Sequence, residues 1–357
     1  MDDPLLLGQR VVAILETGQR DATYKLATLM ALIEHCIENL PPGPEHGLAV
    51  PLPDLAHRVL AIYWRQVRTF DGYVLRQRRT GSKARIIDAT LEFRAAAGAG
   101  NGGLSLEVAK LRALKDYQSA IDTIVIALAE QPLPRLQKLR GSASSDRFLY
   151  DDSFLGKGVS RKTLRAHGDA IELMPGVAYG LARLAGLLKP ALEIMWVDDI
   201  RGMNKSLTAD VPDVAGHLFG RDRVALAAVR EPLADTFDAH CFYCHTHLQP
   251  GDPVDHVLPW SLVGIDGLSN LVLACRRCNG DKSNALPSIG IVNRALGRER
   301  DKLEKIAAEI RWPTEHNRVV AAARGIYRGQ PPGVPTWAGY KTSTRLDIAF
   351  PPWWAMT

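Results

Sequence analysis

Cys241-Phe-Tyr-Cys244, then Val254-Asp255-His256-Val257-Leu258-Pro259-Trp260-Ser261, then Leu268-Ser269-Asn270-Leu271-Val272-Leu273-Ala274-Cys275-Arg276-Arg277-Cys278-Asn279-Gly280-Asp281-Lys282-Ser283 is the stretch that decides how this chain is read. Two Cys-x-x-Cys knuckles can surround one tetrahedral ion, each supplying two thiolates from a tight turn. Zinc is the natural occupant of the closed set Cys241, Cys244, Cys275 and Cys278, and such a site is structural because no coordination position stays open. Thirty residues separate the knuckles, more than a minimal ribbon needs. They hold an Asp-His pair, Pro259, and an asparagine 14 residues after His256.

The knuckles, Asp-His-x-x-Pro, Ser-Asn-Leu and Cys-Asn-x-x-Lys-Ser occur here in order, and together they resemble the HNH endonuclease family over roughly residues 236–290, about a sixth of the chain. The resemblance implies a ββα-metal fold: two antiparallel strands and a helix around one catalytic ion. It makes His256, at the end of a strand, the general base, and Asp255 and Asn279 the ligands of Mg²⁺ or Mn²⁺. Asn270 would orient the histidine through loop hydrogen bonds. Many members carry histidine where this chain has Asn279, so the chain is an HNN variant and its metal preference stays open.

The chemistry accounts for these residue types. Phosphodiester cleavage needs an activated water and positive charge where the phosphorane and leaving oxygen become negative. Neutral imidazole suits proton abstraction near neutral pH, and carboxylate and amide oxygens suit a hard cation. Strand alternation points Asp255 and His256 to opposite sides, so a twist or bulge is expected there. Lys282, one helical turn after Asn279, and Arg276 and Arg277 are expected phosphate contacts.

Working outward, the chain has 357 residues, 44 Lys+Arg against 39 Asp+Glu, and 46% hydrophobic residues, which is globular composition and excludes a disordered protein. No apolar run reaches the roughly 18–20 residues that cross a bilayer, so no membrane partner is expected. The start Met1-Asp2-Asp3-Pro4 lacks the basic opening of a secretory signal. Five cysteines, four of them in knuckles, fit a reducing, cytoplasmic setting better than a disulfide framework.

Charge is unevenly divided. Residues 58–94 carry 9 basic and 3 acidic residues, whereas residues 231–293 carry 3 basic and 7 acidic ones. The arginine-rich block, with Tyr63, Trp64, Phe70 and Tyr73 interleaved, fits backbone contact and stacking on DNA. Solvated helix faces, with Tyr63 buried, fit equally well.

Before the knuckles the pattern is helical. Leu26, Leu29, Ile33, Cys36, Ile37 and Leu40 form one apolar face, ended by Pro41-Pro42-Gly43-Pro44. A second helix starts near Pro53-Asp54, and a third carries Leu111, Leu114, Ile121, Val125 and Leu128. Residues 95–103 read as a glycine-rich connection, 148–150 and 171–174 as short strands, and 206–236 as a connection with a short helix. One helix is expected over residues 291–310, then an extended tail with Trp337, Trp353 and Trp354.

The fold class expected is therefore a mainly α N-terminal region over residues 1–230, a small zinc-stapled α+β HNH module over 231–290, and a helical C-terminal extension over 291–357. The function expected is a metal-dependent DNA endonuclease leaving 5′-phosphate and 3′-hydroxyl ends, with one site per chain and hence nicking by a monomer. Alternatives are a zinc-ribbon nucleic-acid-binding or adaptor protein with a vestigial site, and an RNA-cleaving nuclease. The layout also resembles effector nucleases of bacterial anti-phage systems, such as the type II Zorya nickase, which would bring protein partners of a defence system. Oligomeric state is not readable.

Overall fold

The computed structural model describes residues 4–17, 22–70, 72–79, 84–100, 104–138, 146–205, 214–219, 223–347, 352 and 354. Expectations for residues 1–3, Lys83, residues 101–103, Trp353, and positions 206–213 and 220–222 lie outside them. The chain divides into two units, Met1–Cys36 with Leu40–Arg221, and Ile37–Asn39 with Asp222–Thr357. Among the described residues, no helix is long and apolar enough to cross a membrane.

The first unit is mainly helical: α1 (Pro4–Thr17), α2 (Tyr24–Glu38), α3 (Leu52–Gln66), α4 (Arg85–Ala96), α5 (Leu106–Arg112), α6 (Leu114–Glu130), α7 (Arg161–Ala166), α8 (Val177–Met203) and α9 (Val214–Phe219). β1 (Leu48–Pro51) pairs antiparallel with a distant strand, whereas β2 (Thr69–Phe70) and β3 (Tyr73–Val74) form a local hairpin turned at Gly72, whose φ is +88°. The partner of β1 is β4 (Ala170–Leu173). Helices α3 and α4 pack on α6, and α1 packs on α8. Buried polar side chains pair across the helices: Thr23 bonds the Tyr63 hydroxyl at 2.7 Å, and Trp196 donates to Gln77 Oε1 at 3.0 Å. Cys36 is a fully buried core thiol, which burial pushes up to about 12.

Several local expectations change. The third helix is two, α5 and α6, and Leu111 and Leu114 at the break are exposed rather than part of an apolar stripe. Residues 148–150 make only one bridge, Tyr150 to Leu173, because Gln137 takes the Leu149 and Tyr150 amides with its side chain. The arginine block is largely engaged within its unit. Arg94 is buried on the Trp64 and Gly100 carbonyls, Arg79 meets the buried Asp199 at 3.1 Å, and Arg85 pairs with Glu130. Tyr63, Trp64 and Phe70 are buried, so three of the four rings offered for stacking are core.

The second unit opens with α10 (Arg223–Phe237), a full helix where a connection was expected. After the first knuckle come β5 (Val254–His256), the short α11 (Trp260–Val263), a 3₁₀ turn (Leu268–Asn270), β6 (Leu271–Leu273) and α12 (Arg276–Lys282). β5 and β6 pair antiparallel, with Asp255 opposite Val272 and His256 opposite Leu271, so two strands and a helix stand in the expected order. The register there is regular, so of the twist or bulge expected at Asp255 no bulge is present.

Residues 289–310 form two helices, α13 (Ile289–Leu296) and α14 (Arg300–Ile310). The chain breaks at Gly297 because Arg298 turns inward and donates to the carbonyls of Leu271, Leu268 and Ser269 at 2.8, 3.0 and 3.0 Å. Burial lowers its guanidinium to about 10, still cationic at neutral pH. Then α15 (His316–Gly329) leads to a hairpin of β7 (Pro335–Gly339) and β8 (Thr342–Arg345), where an extended tail was expected. Trp337 and Trp354 are both buried in this unit.

Candidate active site

The two knuckles are built by different local means. In the first, Cys241 N–H donates to Thr246 O and His245 N–H to Cys241 O, closing a turn with His245 at φ +59°. In the second, Cys275 is the N-cap of α12, and its sulfur accepts from the Cys278 amide at 3.4 Å. Asp252 braces the approach, accepting from Gln249 N at 2.8 Å and Arg276 N at 3.3 Å.

The four sulfurs lie within 4.8 Å of one another, and Cys244 and Cys275 are 3.8 Å apart. A tetrahedron with Zn–S of about 2.3 Å has sulfurs about 3.8 Å apart, so this set fits zinc. Burial raises the Cys244 thiol, but hydrogen bonding to Thr246 and the neighbouring thiols outweighs it and brings the group down to about 6. Burial pushes the Cys241 and Cys278 thiols the other way, so metal binding must displace their protons. His240 and His247 meet edge to face, and neither they nor His245 belong to the cluster.

Strand alternation sends Asp255 and His256 to different partners, and both side chains are buried. Asp255 Oδ2 accepts from the Tyr243 hydroxyl at 2.7 Å and meets Lys282 Nζ at 3.0 Å. His256 Nε2 lies 2.8 Å from Asp266 Oδ1. Its other nitrogen, Nδ1, is buried with no hydrogen-bond partner, as is Asn279 Oδ1 on α12. Buried polar atoms are rarely left so. An unpaired amide oxygen, like a carboxylate, is the donor chemistry that Mg²⁺ or Mn²⁺ takes.

Asn270 closes the loop between the strands. Its Oδ1 accepts from Leu258 N at 2.8 Å, while Nδ2 donates to Leu258 O and Ile265 O at 3.3 and 3.0 Å. Fixing Ile265 fixes its neighbour Asp266, whose own carbonyl accepts from Trp312 Nε1 at 2.7 Å. Asn270 therefore reaches the histidine through the backbone and Asp266.

Lys282 is a correction. Its side chain is 0% exposed, and besides Asp255 it donates to His256 O at 2.7 Å, so it faces inward and is not placed to meet a phosphate. The reason is helical: Lys282 follows Asn279 by three residues, on the α12 face that looks at β5. Arg276 and Arg277 are exposed, Arg276 near Asp252 and Arg277 4.7 Å over the Tyr340 ring. Tyr243, Asp266 and Arg298 were not singled out by the sequence reading. Only Tyr243 had a local signal, its place inside the first knuckle.

Residues 241–285 match the family model for HNH endonuclease, and residues 7–218 match the model for Domain of unknown function (DUF8808). The second match spans more than half of the chain. The chain belongs to the DUF8808 family. In this DUF8808 protein the HNH domain coincides with the zinc set, β5, β6 and α12. No curated protein and no solved structure matches the chain, and neither family model bears on the anti-phage layout.

Proposed function

We propose that this DUF8808 protein is a metal-dependent DNA endonuclease whose HNH domain hydrolyses one phosphodiester bond per site, leaving 5′-phosphate and 3′-hydroxyl ends. The observation that carries the reading is the polarity of His256. With Nε2–H donated to Asp266, the open Nδ1 is the basic nitrogen, able to take a proton from an attacking water. Asp266 then stabilises the imidazolium formed and hands no proton on.

Asp255 and Asn279 would hold Mg²⁺ or Mn²⁺, which supplies positive charge at the scissile phosphate and leaving oxygen when bound. Tyr243 and Lys282 fix the carboxylate that serves it, so the ligand does not need reorienting as substrate arrives. The four-cysteine zinc set is structural. It fixes both ends of the domain and leaves no open position for chemistry.

The test is incubation of supercoiled plasmid with the full chain, with and without Mg²⁺ or Mn²⁺, followed by end analysis. Metal-dependent open circles whose nicks a DNA ligase reseals are expected. Binding without cleavage in either metal would favour a zinc-stapled adaptor instead, and cleavage of RNA but not plasmid would move the substrate.

A further inference from the structure

Residues 286–347 follow the HNH match and carry no assigned role. They end in the β7–β8 hairpin, which Asp281 of α12 holds: its Oδ2 accepts from Trp337 Nε1 at 2.7 Å and from Lys341 N at 2.8 Å. Trp337 packs edge-on against Tyr243, centroids 4.9 Å apart, and Tyr243 bonds Asp255. The hairpin is thus fixed to the helix carrying Asn279 and to the ring behind the candidate metal ligand.

Its outer chemistry is one-sided. Thr342, Ser343, Thr344 and Arg345 are all exposed, and β8 carries no acid. At the tip, Tyr340 is 38% exposed, with Arg277 4.7 Å and Lys341 5.4 Å from its ring. Lys341 stands at φ +55°, where a glycine or asparagine would relieve the backbone. The module itself has 3 basic against 7 acidic residues over 231–293, and Arg79, Arg85 and Arg94 are engaged in the other unit, so cations on the hairpin add positive charge where the module has little.

We propose that the β7–β8 hairpin, together with Arg277, is a duplex-DNA contact surface in which Lys341, Arg345 and Arg277 meet backbone phosphates and the β8 hydroxyls add hydrogen bonds. A two-stranded ribbon fits the major groove, and Ser, Thr, Lys and Arg are the residues that hold phosphate oxygens. Such contacts fix the register of the duplex without reading sequence. This inference rests on the nuclease reading above and names where that site's substrate is gripped.

The experiment measures binding of a 30-base-pair duplex by anisotropy across a salt series, in the full chain carrying His256→Ala so that the probe stays intact. Adding Lys341→Glu and Arg345→Glu is expected to weaken binding at least tenfold at 0.1 M salt. The slope of log K against log salt should become shallower by about 0.9 per lost contact. Zinc content and melting temperature should hold. Lys341→Gly is expected to raise the melting temperature while weakening binding, an opposition that a structural role does not produce. Parent and double variant with the same affinity and slope would overturn the inference while leaving the DNA reading intact. Unchanged binding with new aggregation would also overturn it, the cations then merely guarding a strand edge. No duplex binding by the parent would overturn both.

Discussion

Lys282 has exchanged the role its position suggests for one the fold imposes. One helical turn after Asn279 a lysine reads as a phosphate contact, yet here the ammonium lies between Asp255 Oδ2 and His256 O. Removing one partner of a buried ion pair leaves an uncompensated charge, which costs about 3–5 kcal/mol. Lys282→Met is therefore expected to lower the unfolding free energy of this unit by about that much, read by denaturant titration. Equal stability would mean the pair is solvated. In the proposed mechanism Asp266 positions His256, and the expected signature is rescue: Asp266→Ala loses about 10- to 100-fold in cleavage rate, and Asp266→Asn, whose amide oxygen still accepts from Nε2–H, recovers part of it. Equal rates for Ala and Asn would remove Asp266 from the mechanism. Asp255, His256, Asn270 and Asn279 could be singled out because their spacing is local. Asp266 could not, since a lone carboxylate ten residues from its partner gains meaning only once Asn270 has closed the loop between them.

At the scale of elements, the four sulfurs join the turn at residues 241–244 to the start of α12. Since α12 also carries Asn279 and Lys282, a zinc ion on these sulfurs would hold the helix that completes the proposed site. Cys275→Ser is expected to lose stoichiometric zinc, measured by metal analysis, and to lower the melting temperature of the unit. A variant that kept full thermal stability without zinc would refute the assignment. The knuckles could be read from spacing alone. The division of residues 289–310 into α13 and α14 could not, because both halves continue one amphipathic pattern. What separates them is the pull of three backbone carbonyls from the 3₁₀ turn and β6 on Arg298, a contact between segments about 30 residues apart. The β7–β8 hairpin was hidden for a similar reason, since its prolines and hydroxyl residues look like a tail until Asp281 and Leu286 anchor Trp337.

Across the whole molecule, helical content and the place of the nuclease domain followed from periodicity and motif, whereas the use of charge did not. Nine basic residues in positions 58–94 look like a DNA surface when counted along the chain. In the fold, Arg79 serves the 3%-exposed Asp199, Arg85 serves Glu130, and Arg94 caps carbonyls. Arg79→Glu is accordingly expected to destabilise the DUF8808 unit, by about 2 kcal/mol in urea unfolding, because it sets like charge against a buried carboxylate. An unchanged unfolding midpoint would return Arg79 to the candidates for DNA contact. The central claim is that the HNH domain is a working nuclease with His256 as its base. The most direct measurement compares wild-type chain and His256→Ala on supercoiled plasmid in Mg²⁺ and in Mn²⁺, at matched zinc content and melting temperature. Wild type should convert supercoiled plasmid to open circles, and His256→Ala should leave it supercoiled. Equal conversion by the two proteins would contradict the account.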